Sequence, residues 1–330
     1  MADDVPAFMA PEVRLKHMLS MCKVVRRTGE ATLKMKPEEM HDMVVVDNHS
    51  FSNVDAVAGS HLRTLVAQLM PKFADGLMEE CDIARALRNR EALKYPLLIC
   101  DAVEGSTNAK RGLSAFVRRP IFAGTSMLLI EGVRMTTVAA SAFYDFASGC
   151  VFSSVRGESG SFLSFLDEKI LEPRGDFVNC HGDSKLFAVV AAYSHDNVDC
   201  PAEIMRALLA NDIRLHGGSR SSAQDLLDIL CNQVDSYIDL RALFPGNTNS
   251  RDEALHVWDV GGLLPFMDGL GYVITDHHGK SWQDQVLGEK LPLIVSRPKV
   301  AQQIINVVGK LSFVAEPEGS TNVLPLTKTS

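Results

Sequence analysis

The chain has 330 residues, of which 46% are hydrophobic and 22% charged, and its formal net charge is -8. That length suits two core-forming lobes or one large α/β domain. The acidic balance excludes a general nucleic-acid binder, which needs a basic surface, and no run approaches the roughly 20 apolar residues of a membrane span. Seven dispersed cysteines, none in a CxxC pair, read as reduced thiols. The acidic N-terminus lacks the uninterrupted apolar core of a signal peptide, so a cytoplasmic location is expected.

In chain order, Pro11–Thr28 carries Val13, Leu15, Met18, Leu19, Met21, Cys22 and Val25 on one face, which predicts a helix with Pro11 in its first turn. An irregular connection or hairpin with a β-prone run at Val44–Val46 follows. A second helix is predicted over Val54–Met70, with Asp55 in its first turn and Val57, Leu62, Leu65, Val66 and Leu69 as the stripe; Pro71 ends it. Residues 82–94 are charged, helix or loop, and lead into the apolar strand Pro96–Cys100. Strands are then predicted at Ser126–Ile130, at Met135–Ala140 and through the segment 142–163. From about residue 184 strands and helices alternate. The strands are Leu186–Ala192, Asp212–Leu215, Val234–Leu240, Tyr272–Thr275 and Leu291–Ser296. The helices are Ala202–Ala210, Ala223–Cys231, Val257–Leu270 and Pro298–Val308. The change of texture near residue 180 divides the chain into lobes at about 12–183 and 184–310, with a flexible tail over 311–330.

The chemistry concentrates in YPLLICDAVEGSTNAKRG, residues 95–112. Asp101 at a strand end and Glu104 three residues on can hold hard divalent cations, and the Val103 carbonyl between them can add a ligand. The same pair also fits a solvated acidic turn. Gly105, Ser106 and Thr107 follow; if a helix starts there, its unpaired N–H groups and positive dipole end suit a phosphate, although small residues at this place are also ordinary helix caps. Glu79 and Glu80 precede the strand, and one of them can bridge a cation and act as a general base. Asp259, far downstream at the start of an apolar helix, is an N-cap or a further carboxylate ligand.

Together, Met78-Glu79-Glu80, DAVEGSTN (101–108) and WDVGG (258–262) resemble, in order and spacing, the signature of the inositol monophosphatase superfamily, which also includes fructose-1,6-bisphosphatases and bisphosphate nucleotidases. Flanking stretches extend the likeness over about residues 12–310. The resemblance implies a layered αβαβα sandwich (α/β, or α+β layered) and Mg²⁺-dependent hydrolysis of a phosphate monoester by metal-activated water, with two or three Mg²⁺ per active site. It implies metal ligation by Glu79, Asp101, the Val103 carbonyl, Glu104 and Asp259, and phosphate binding by Gly105, Ser106 and Thr107. Ser106 and Glu79 would orient the water, supported by Asp55. Gly218, Ser219, Asp239 and Arg241 would face the substrate, a small-molecule phosphate ester such as an inositol monophosphate or a sugar (bis)phosphate; Arg241 equally suits a surface salt bridge. A homodimer is the default assembly.

Three departures stand out. Glu104 replaces the usual Asp, Ala102 replaces the usual Pro, and FPGNTNSRDEA (244–254) lengthens the link between Asp239 and Asp259. Glu104 and Ala102 keep open a catalytically weak relative that binds a phosphate ligand or serves a structural role; a 3′(2′),5′-bisphosphate nucleotidase, which needs a base-stacking surface in the second lobe, is the other alternative.

Overall fold

Five layers follow from where the apolar faces point. The computed structural model describes residues 9–36, 43–46, 49–79, 82, 93–113, 121–173, 185–191, 198–218, 221–244 and 255–314. Glu80, Ser219, most of the charged stretch 82–94, most of the 244–254 loop and the tail from 315 lie outside the described residues.

The first layer is a pair of helices, Pro11–Thr32 and Asn53–Leu69. In the first, Met18, Met21, Cys22 and Val25 are buried at helical spacing. Val13 and Leu15, expected on that face, are exposed. The buried stripe runs through Arg14 instead, whose guanidinium pairs with Glu131 at 2.8 Å. In the second helix Val57 is likewise exposed, while Val54, Ala58, Leu62, Leu65 and Val66 are buried. Between the helices, β1 (Met43–Val46) and β2 (His49–Ser52) form an antiparallel hairpin.

The second layer is a seven-stranded sheet, in chain order β3 (Leu77–Glu79), β4 (Leu97–Glu104), β5 (Gly124–Ile130), β6 (Val138–Asp145), β7 (Val151–Arg156), β8 (Phe162–Leu166) and β9 (Lys169–Leu171). β3 runs parallel to β4 and the remaining pairs are antiparallel. Residues 135–137, predicted as the start of a strand, form a 3₁₀ turn, and β6 begins at Val138. Alternation along β4 separates two cores. Leu98 and Cys100 pack with the helices of the first layer, whereas Leu97 and Ile99 face the opposite side.

That opposite side is covered by a third layer, helices Ser222–Leu230, Val257–Val260 and Leu264–Gly269. The last two were expected as one helix over 257–270. The chain breaks at Gly261–Gly262, where it lies against β5 and β6, and Pro265 opens the second piece. A fourth layer holds β10 (Leu186–Val190), β11 (Ile213–His216), β12 (Ser236–Asp239), β13 (Val273–Thr275) and β14 (Leu293–Ser296), in the order β11-β10-β12-β14-β13. Helices Asp199–Ala210 and Pro298–Val308 complete the fifth layer, packing Ile204, Leu208, Ile304 and Val308 on Ala188, Ile238 and Ile294. The order is αβαβα, as the resemblance implied. The core between the two sheets joins residues from both, Ile99 and Leu128 with Val189 and Tyr237, and each fully buried aliphatic side chain there contributes about 1.5–3 kcal/mol. Among the described residues no helix is long and apolar enough to cross a membrane.

Candidate active site

The sequence predicts a strand over Pro96–Cys100 with Asp101 at its end and Glu104 beyond it, after a turn. The structure continues the strand to Glu104. In a regular strand, residues three apart point to opposite faces. Here Asp101 pairs with Ser126 and Glu104 with Gly124, so three steps on β4 match two on β5. This bulge places both Ala102 and Val103 in the core shared with the outer helices and returns Glu104 to the side that Asp101 occupies. The Val103 amide donates to Asp101 Oδ1 at 3.0 Å, and the Thr125 hydroxyl donates to the Ala102 carbonyl at 3.0 Å, which fixes the distorted backbone.

Asp259 arrives from the third layer. Its helix Val257–Val260 is docked by Gly262, whose amide donates to Ser126 Oγ at 3.1 Å. Ser126 is the residue opposite Asp101 on β5, so the dock and the acidic strand share one place on the sheet. Asp259 Oδ2 accepts the His256 amide at 2.9 Å, which holds the carboxylate at the helix start. One carboxylate oxygen from each of Asp101, Glu104 and Asp259 lies within 4.8 Å of the others. At an effective dielectric near 20, two unit charges at that separation repel by about 3 kcal/mol, so three ionised carboxylates call for a counter-cation. An all-oxygen, carboxylate-rich donor set fits a hard divalent ion of the Mg²⁺ class.

Directly after Glu104, Gly105 takes φ +80, a conformation that favours glycine. A Cβ there would also come within 3.1 Å of Ser221 Oγ. Helix Ser106–Leu113 starts at once. The Gly105 carbonyl accepts the amides of Asn108 and Ala109, and helix geometry leaves those of Ser106 and Thr107 without intrahelical partners. An anion-accepting helix start therefore stands beside the acids.

Glu79 is placed differently. It ends β3 beside Cys100, yet it is not one of the three clustered acids. Its Oε1 pairs with Arg63 Nε at 2.8 Å. Burial pushes its pKa up, and Arg63 opposes that shift. Gly59 makes room for this carboxylate, since a Cβ there would stand 2.5 Å from Glu79 Oε2. Asp55, Gly59 and Arg63 recur one turn apart along the same helix, so Asp55 shares the face that meets Glu79. Glu104 is also pushed up by burial, against hydrogen bonds from Ala223, Ser221, Gly105 and Ser222.

On the far side, Gly218 packs near Val189 and Asp225. The residues of this turn that reach the acids lie further on: the Ser221 hydroxyl donates to Glu104 Oε1 at 3.0 Å and the Ala223 amide at 3.4 Å. Asp239 and Arg241 are both buried and hold each other, with Arg241 Nε donating to Asp239 Oδ1 at 2.9 Å and the Tyr237 hydroxyl donating to Oδ2 at 3.0 Å. Their ion pair is interior rather than at the surface. Arg63, Ser221 and Ala223 were not singled out from the sequence. Ser221 did carry a signal, because Ser-x-x-Gln ahead of an apolar run is a capping-box pattern.

No family model matches the chain, and no curated protein is significantly similar to it. Solved structures are similar in fold. The extragenic suppressor protein suhB from Bartonella henselae aligns with TM-score 0.61 and 16% identity over 89% of this chain and 98% of its own. An IMPase/NADP phosphatase complexed with Mg²⁺ and phosphate aligns with TM-score 0.63 and 14% identity over 91% and 97%. SaIMPase-II bound to 2′AMP aligns with TM-score 0.58 and 13% identity over 86% and 90%. The chain has the inositol monophosphatase fold.

Proposed function

We propose that the chain is a divalent-cation-dependent phosphomonoesterase of the inositol monophosphatase superfamily, acting on an inositol monophosphate or a sugar (bis)phosphate. One observation carries this reading: an anion-accepting helix start adjoins three clustered carboxylates. Phosphate and carboxylates repel each other, and they share a site productively only with a cation between them. Asp101, Glu104 and Asp259 would hold Mg²⁺, with the Val103 carbonyl beside them, and the ion supplies Lewis-acid polarisation of phosphoryl oxygen and water. The amides of Ser106 and Thr107 would bind phosphate oxygens, and Gly105, at φ +80, turns the chain into that helix start. Glu79, its pKa raised by burial and opposed by its pair with Arg63, would accept a proton from water, with Asp55 in support. For the substrate side the reading keeps Gly218, with Ser219 next in sequence, and the buried, mutually hydrogen-bonded pair Asp239 and Arg241.

The test is phosphate release from a panel of inositol phosphates, sugar bisphosphates and 2′- or 3′-phosphorylated nucleotides, with Mg²⁺ and with EDTA. Mg²⁺-dependent turnover of an inositol or sugar phosphate is the expected result. Mn²⁺ binding with no turnover of any member would make the chain a phosphate-ligand-binding relative instead.

A second reading, a nucleotide phosphatase, is favoured by Phe122. The residue is 48% exposed, while its carbonyl accepts Asn108 Nδ2 at 2.9 Å and abuts Gly105. An exposed Phe whose backbone adjoins the phosphate turn would suit a base-bearing ester. Stacking on it is worth about 1–3 kcal/mol per base. Under this reading Phe122→Ala raises KM for the nucleotide substrate by roughly 5- to 150-fold and leaves KM for an inositol phosphate in place. Equal KM values for both variants on the nucleotide would remove it.

A further inference from the structure

We propose that Ser221 is a positioning residue for the cation site, latching Glu104 of the seven-stranded sheet to the start of helix Ser222–Leu230; its bearing on a cation rests on the phosphatase reading above. The contact is direct. Ser221 Oγ donates to Glu104 Oε1 at 3.0 Å and the Ala223 amide adds a second bond at 3.4 Å, across 117 and 119 positions of sequence. Ser221 is the N-cap of this helix, with extended backbone and its Oγ accepting the Gln224 amide at 3.4 Å. The single hydroxyl therefore uses its proton on Glu104 and a lone pair on the helix.

The arrangement is built around that contact. Gly105, next to Glu104, leaves the space that Ser221 occupies, for a Cβ there would fall 3.1 Å from Ser221 Cβ. The same helix start is tied to the sheet a second time, because Gln224 Nε2 donates to Asp145 Oδ1 at 2.8 Å and to the Ala123 carbonyl at 3.3 Å. Ala223, Leu226, Leu227 and Ile229 anchor the helix in the core between the sheets. A carboxylate has about four acceptor sites on two oxygens, so Oε1 can rest on the helix while the group still serves the cluster with Asp101 and Asp259. A helix start favours such a negative charge.

The longer side chain gives this meaning. Glutamate reaches one methylene further than aspartate, and here that extra reach carries its oxygen to the opposite layer. Glu104→Asp then loses the latch without a gain elsewhere, so the substitution lowers cation affinity rather than restoring a better site.

The test uses the full chain and two readouts. Isothermal titration with Mn²⁺ compares wild type with Ser221→Ala, Ser221→Thr and Glu104→Asp. Ser221→Ala and Glu104→Asp weaken Mn²⁺ binding by about 10-fold, within the range for partners that orient metal ligands, and Ser221→Thr, which keeps the hydroxyl, restores it. In EDTA, thermal melts of Ser221→Ala, Glu104→Ala and the Ser221→Ala/Glu104→Ala pair read the latch with no cation present. Ser221→Ala loses about 2–4 °C and costs less when made in Glu104→Ala; removing Glu104 also relieves its repulsion with Asp101 and Asp259, so the coupling rather than the Glu104 shift alone reads the latch. Additive losses overturn the latch even if Mn²⁺ binds. A wild type that binds no Mn²⁺ overturns the cation role together with the phosphatase reading, while the melts still decide the latch. Wild-type Mn²⁺ affinity in Ser221→Ala overturns the positioning role alone.

Discussion

Asp101→Asn lowers phosphate release by about 10³-fold while the protein melts close to the wild-type temperature. The two halves of this expectation have separate causes. Removing one unit charge about 4 Å from a cation costs about 4 kcal/mol at an effective dielectric near 20, which corresponds to about 10³-fold in rate. The fold is spared because asparagine is the same size and keeps an acceptor. Asp101 Oδ1 takes the Val103 amide at 3.0 Å, and the amide oxygen of Asn can do the same, so the bulge between Asp101 and Glu104 stays formed. Initial rates at saturating Mg²⁺, paired with a thermal melt, check both halves. Turnover within about threefold of wild type, a difference of under 1 kcal/mol, would take Asp101 out of the cation site. A large drop in melting temperature would show instead that its charge supports the fold.

The same bulge marks the boundary of what the sequence could disclose. The acids 101, 104 and 259 stood out by residue type, and the helices predicted over 11–28 and 298–308 by their apolar period, the first running on to Thr32 in the structure. The strand through Asp101–Glu104 did not. A three-residue spacing conflicts with a strand's two-residue period, and the extra residue becomes visible only in the pairing of Asp101 with Ser126 and Glu104 with Gly124. Arg63 and Ser221 were hidden for a related reason. Each meets its acid through layers brought together by the fold, and nothing in the local pattern around Arg63 names Glu79. Helix 257–270 misled the period argument because apolar residues continue through Gly261 and Gly262, while the close approach to Ser126 and Ala142 that breaks it is tertiary. By contrast, the Asp239–Arg241 pair had a local origin. Asp239 ends β12 and Arg241 opens the 3₁₀ turn that follows, so the carboxylate accepts both the Arg241 amide, at 3.2 Å, and its Nε, at 2.9 Å.

Gly262→Ala is expected to lower stability and cation affinity together. A Cβ at 262 would stand 2.8 Å from the Ala142 carbonyl oxygen and 2.8 Å from Ser126 Oγ. The hydroxyl can rotate, but the carbonyl belongs to β6, whose Ala142 is paired with Met127 on one side and Ser153 on the other. The sheet cannot yield without breaking its ladder, so the helix segment must lift. Overpacking of this kind costs about 1–3 kcal/mol, or about 1.5–4 °C in melting temperature for a chain of this length. The displaced segment carries Asp259, whose carboxylate is tied to the His256 amide and moves with it. Mn²⁺ affinity therefore falls along with stability, by about 10-fold if the ligand shifts as a mispositioned one does. Gly157→Ala serves as the control. A Cβ there meets its nearest atom, the Ser161 carbonyl, at an ordinary 3.6 Å, and both readouts stay at wild-type values. If Gly262→Ala loses stability but binds Mn²⁺ as wild type does, the dock at Ser126 and the placement of Asp259 are independent, and Asp259 is held by its own helix start alone.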